Sequence, residues 1–64
     1  MKIETRNYSL ISLREGGFVI THKASSKSRF VRAIPTILAR EKTPHRVLED
    51  TLGTLLEHGE AALS

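Results

Sequence analysis

From Thr43 to His58 the apolar residues recur at the spacing of an α-helix, and no other stretch constrains the fold as tightly. At about 100° per residue, Val47, Leu48, Thr51, Leu52, Leu55 and Leu56 fall on one broad stripe, which Ala62 and Leu63 continue. Arg46, Glu49, Asp50, Gly53, Glu57 and Glu60 fall on the opposite arc. Thr43 is placed to cap the helix, with Pro44 at the first helical position, where a missing N–H costs nothing. Arg46 then occupies the third position, so no capping box forms. Gly53 costs about 1 kcal/mol relative to Ala in such a run. A helix with one apolar stripe must lay it on something, and the preceding residues supply a sheet.

Tyr8-Ser9-Leu10-Ile11-Ser12-Leu13 and Phe18-Val19-Ile20-Thr21-His22-Lys23 are rich in strand-forming residues. Arg14-Glu15-Gly16-Gly17 separates them, and its glycines suit the positive φ angles of a tight hairpin turn. After the polar turn Ala24-Ser25-Ser26-Lys27-Ser28, Arg29-Phe30-Val31-Arg32-Ala33-Ile34 reads as a third strand, ended by Pro35. Met1 to Arg6 is polar and poorly patterned, and reads as an extension of the first strand or a frayed end. Pro35 to Lys42 contains Ile37 and Leu38, which need cover, and reads as a single helical turn or a helix of eight residues.

The expected fold is therefore α+β: a three-stranded antiparallel β-meander packed against one long C-terminal amphipathic helix, with a short helical turn between. Residues 1–64 make one small β-β-β-α domain. In the second strand Phe18, Ile20 and His22 share a side. In the third, Phe30, Arg32 and Ile34 oppose Arg29, Val31 and Ala33. Neither strand has a cleanly polar second face. That pattern reflects either frayed edges and a shifted register, or a face covered by a partner, a second copy, or Ile37 and Leu38.

With no Cys, the chain has neither disulfides nor a thiolate metal site. This fits a reducing compartment without requiring one. No apolar run approaches the ~20 residues that span a bilayer, and the N-terminus lacks the pattern of a signal peptide. A cytoplasmic chain without membrane association is the default expectation. A chain of this length buries only about 60% of its unfolded surface. Dimerisation or a partner would add to so small a core, and a homodimer through the apolar stripe is one such arrangement.

The net charge of +3 conceals a polarity. Residues 22–46 carry Lys23, Lys27, Arg29, Arg32, Arg40, Lys42 and Arg46 against Glu41 alone, while residues 47–64 carry only Glu49, Asp50, Glu57 and Glu60. The seven cations are the candidate contacts to DNA or RNA, with Ser25, Ser26 and Ser28 able to donate to phosphate oxygens. Such a molecule docks by its sheet side, as a ribbon in a major groove does, with Arg32, Lys23 and Thr21 toward base edges. Recognition of single-stranded RNA needs exposed aromatics, and Tyr8, Phe18 and Phe30 are assigned mostly to the core.

An enzyme or metal site has little support. His45 and His58 lie 13 residues apart and more than 90° around the helix. No H-E-x-x-H, phosphate-cradling loop or nucleophile elbow is present. The expected function is thus that of a small non-enzymatic nucleic-acid-binding protein without a cofactor. The alternative is a regulatory or inhibitory protein that captures a larger one through a sheet edge or through Glu49, Asp50, Gly53 and Glu57. Three strands followed by a helix, with basic sheet residues, is similar to the element order of the small arm-site DNA-binding domains of tyrosine integrases. No residue motif carries that likeness, and an order this simple hosts unrelated functions.

Overall fold

Side-chain alternation builds four strands rather than three. The computed structural model describes residues 1–63. It places β1 at Lys2–Glu4, β2 at Tyr8–Ser12, β3 at Phe18–His22 and β4 at Ser28–Val31. They form one antiparallel sheet in the order β1-β2-β3-β4. The unexpected strand is β1. Ile3 lies opposite Leu10 and packs against the core, while its neighbours Lys2 and Glu4 are exposed. Buried Thr5 fixes the turn that follows: its N–H donates to the Tyr8 carbonyl at 2.9 Å, and its hydroxyl accepts from the Tyr8 N–H at 3.1 Å. A short edge strand flanked by charges is poorly suited to pairing with another chain.

The turn between β2 and β3 uses Gly16 at φ +106° and Gly17 at φ +88°, as the Gly-Gly pair predicts. Between β3 and β4 the chain reverses through Ser26 at φ +61°, whose N–H donates to the His22 carbonyl at 2.8 Å. β4 stops at Val31 instead of running to Ile34. The N–H of Arg32 has left the ladder and donates to Glu60 Oε1 at 2.6 Å.

Helix α1 spans His45–His58. Its N-cap is Pro44, one residue later than expected, with φ −59° and ψ 145°. Thr43 does not cap it, because its hydroxyl donates to the Ile37 carbonyl at 2.7 Å and ties down the preceding loop. The helix also ends sooner than its apolar stripe suggests. Gly59 adopts φ +62° and ψ −144°, a region that excludes most side chains, and its N–H donates to the Leu55 carbonyl. Gly59–Leu63 continues as a 3₁₀ helix, which still brings Ala62 against the core.

The helix covers one face of the sheet. Leu10 and Ile20 from the strands meet Leu52 and Leu55 from α1, all with no measurable exposure, and Val31 joins them. The segment between sheet and helix forms one 3₁₀ helix, Thr36–Ala39, and contributes Leu38 to the same core. Ile37 and Leu38 therefore cover the inner face and leave the outer one open. Among the described residues, no helix is long and apolar enough to cross a membrane.

Candidate functional site

The seven cations expected to form one surface are divided among different tasks. Lys23 Nζ donates to Glu4 Oε2 at 3.1 Å and to the Thr5 carbonyl at 2.9 Å, joining the β3–β4 turn to the end of β1. Arg29 points inward, paired opposite buried Ile20. Its Nε donates to the Leu56 carbonyl at 2.7 Å and its Nη2 to the Glu57 carbonyl at 3.3 Å. These are terminal carbonyls that α1 leaves without intrahelical partners, and a cation there also meets the negative end of the helix dipole. Lys27 and Arg32 are exposed, and neither side chain forms an ion pair among the described residues. Arg40, Lys42 and Arg46 lie around the start of α1. Arg46 precedes Leu56 by ten positions, about 15 Å along the helix axis. The seven thus form two groups, of which only the one around β3 and β4 belongs to the sheet.

The acidic helix face is also partly used by the fold. Asn7 Nδ2 donates to Glu49 Oε1 at 2.6 Å, binding α1 to the turn after β1. The Thr5 hydroxyl is the main influence that holds the Glu49 carboxyl below the usual carboxylate range, followed among the lowering contacts by Asn7. Oε2 is nevertheless buried without a hydrogen bond of good geometry, since the Thr5 hydroxyl is shared with Tyr8. Gly53 permits a close approach, but by a residue of its own chain. A Cβ at position 53 would lie 3.0 Å from the Tyr8 hydroxyl oxygen. Asp50 and Glu57 remain exposed. Beside them an open groove runs between the β3–β4 turn and α1, lined by Tyr8, His22, Lys27, Arg29 and Leu56. Tyr8 and His22 meet there at 5.1 Å between ring centroids, and His22 Nδ1 lies 2.8 Å from Ser25 Oγ.

The outer face of the sheet holds what the sequence did not reveal. Lys2 lies opposite Ile11, Ile11 opposite Val19, and Val19 opposite Phe30, giving one row across all four strands. The adjacent row is Glu4, Ser9, Thr21 and Ser28. Phe30 is 53% exposed and Ile11 43%. The Phe30 ring occupies the space that a side chain at Gly17 would need. One signal for this arrangement was present in the sequence: Val31 and Phe30 are adjacent in a strand, so only one of them can face the helix.

Charge is divided between the layers in the same sense. Residues 1–34 carry Lys2, Arg6, Arg14, Lys23, Lys27, Arg29 and Arg32 against Glu4 and Glu15, a net of +5. Residues 35–64 carry Arg40, Lys42 and Arg46 against Glu41, Glu49, Asp50, Glu57 and Glu60, a net of −2. The open layer is cationic and the covering layer acidic. No protein-family model matches this chain, and neither a search of curated proteins nor one of solved structures found a match.

Proposed function

We propose that this chain is a small non-enzymatic nucleic-acid-binding protein whose contact surface is the open side of the sheet. The observation that carries this reading is a sheet whose outer face no helix covers among the described residues, within a part of the chain, residues 1–34, whose net charge is +5. A polyanion approaching from that side meets Arg32 just past the end of β4 and reaches Lys27 over the β3–β4 turn, where Lys27 lines the groove beside α1, while the acidic residues of α1 lie behind the sheet. Arg40, Lys42 and Arg46 lie outside the sheet, around the start of α1, and this reading does not use them.

The competing reading, capture of a protein by the acidic helix face, has less to work with. Glu49 is held by Asn7, and Tyr8 occupies the approach over Gly53. Asp50 and Glu57 alone make a sparse surface.

Salt titration of binding to a labelled oligonucleotide tests the proposal. At about 50 mM salt the chain should bind, and affinity should fall steeply as salt rises. Lys27→Ala combined with Arg32→Ala should weaken binding for every sequence tried and reduce the salt slope by about 2. Lys42→Ala combined with Arg46→Ala should leave both unchanged. No binding to single or double strands sinks the proposal, and an equal loss from the second pair moves the contact off the sheet.

A further inference from the structure

Resting on that reading, we infer that the outer face takes single-stranded nucleic acid, with Phe30 as the platform on which a base stacks. The eight outer-face strand positions are Lys2, Glu4, Ser9, Ile11, Val19, Thr21, Ser28 and Phe30. Reading a duplex through its major groove needs long cationic or amide side chains reaching from the strands to base edges. Only Lys2 among the eight is cationic, and it is paired with Glu4 at 3.1 Å. The centre of the face therefore offers a duplex almost nothing.

It offers an unpaired base a good deal. Phe30 exposes half its surface beside Val19 and Ile11, and Gly17 leaves room for the ring on the sheet. The row Ser9, Thr21 and Ser28 places three hydroxyls one two-residue step away, about 7 Å along the strands. Hydroxyls donate and accept, so they suit the exposed edge of a splayed base. Cations lie at the rim: Arg32 follows β4, Arg14 sits in the β2–β3 turn, and Lys27 precedes Ser28 at the lip of the groove that it lines beside α1. An aromatic and hydroxyl centre with a basic rim is what a single strand requires, since bases stack while phosphates run along the edge.

The test is an anisotropy titration of a labelled 12-nucleotide thymidine strand, a uridine strand of equal length and a 12-base-pair duplex, all at about 50 mM salt. Phe30→Leu keeps apolar bulk over Gly17 and removes the ring. It should weaken single-strand binding by roughly five- to 150-fold. Phe30→Tyr should retain it, and the duplex, bound more weakly, should respond little to either change. Circular dichroism and thermal unfolding of each variant confirm that the fold persists. Tight duplex binding, with both substrates indifferent to Phe30, overturns this inference and leaves the cationic-sheet reading standing. Absence of binding to any of the three overturns both. A concentration-dependent dimer that Phe30→Leu dissociates also overturns it, because the face then belongs to a second copy.

Discussion

The two faces of the sheet are made by alternate residues of the same strands, yet they have different fates. Leu10 and Ile20 lie under α1 with no exposure, while Ile11, on the next position of β2, remains 43% exposed. The inner face is finished: strands, helix and two 3₁₀ segments converge on it. The outer face has apolar side chains in register and, among the described residues, no cover. Burial on the inner face accounts for the fold, and Ile11 and Phe30 of the outer row stay exposed.

The comparison breaks most directly at two isoleucines. Ile20→Ala should cost about 2–5 kcal/mol, the range for deleting a fully buried branched side chain. Ile11→Ala should cost less than about 1 kcal/mol, as a change on an open surface does. Urea unfolding of both variants measures the difference. Equal costs would mean that the outer face is buried in solution, and a second copy would then be its natural cover.

A smaller effect tests where the inner face ends. Arg29 leaves β4 to reach the last carbonyls of α1, and Gly59 lets it pass: a Cβ at position 59 would lie 2.8 Å from Arg29 Nη1. With φ at +62° the position is also strained for any other residue. Gly59→Ala should cost about 1–3 kcal/mol. Lys27→Ala, two residues from Arg29 but on the turn, should change stability by no more than about 0.5 kcal/mol. If the two variants unfold alike, the passage past Gly59 does not hold Arg29 against α1, and Arg29 counts with Lys27 as a surface cation.

The sequence made the inner face legible because burial leaves a periodic mark. Val47 to Leu56 carries the helical period, and the Gly16-Gly17 turn fixes the β2–β3 hairpin. Phe18, Ile20 and His22 were placed on one side, as found. What escaped was whatever depends on a single contact. Ile3 is one apolar residue among charges, and only its register against Leu10 makes Lys2–Glu4 a strand. Gly59 is an ordinary helix stop, but the apolar residues beyond it masked the signal. For the candidate site, charge counting treated Lys23 and Arg29 like Lys27. Whether a cation is available depends on carbonyls and carboxylates brought close by the fold, and no local pattern records that. Phe30 escaped for a related reason: an aromatic in a strand suggests core until the facing of its neighbour Val31 is known.

The smallest predicted effect separates the faces by the way each holds a carboxylate. Glu4, on the outer face, is kept below its ordinary value of 4.5 by hydrogen bonds from Lys23 and Lys2. Glu49, against the inner layer, is kept below the same value chiefly by Thr5, with Asn7 adding to it. In each case the folded state binds its proton less readily than the unfolded chain does. The stabilisation is therefore full above the ordinary value and is lost as pH falls through the lower folded one. Melting temperature should drop as pH is lowered from about 5, and Glu4→Gln and Glu49→Gln should each flatten part of that drop. Salt then distinguishes them. At 1 M the Debye length is about 3 Å, and exposed ion pairs such as Lys2–Glu4 are largely screened. The Glu4 share of the pH dependence should vanish, while the Glu49 share, which rests mainly on neutral hydroxyl and amide donors, should persist. Loss of both shares in high salt would show that general charge, rather than the Asn7 and Thr5 contacts, secures the helix to the turn after β1.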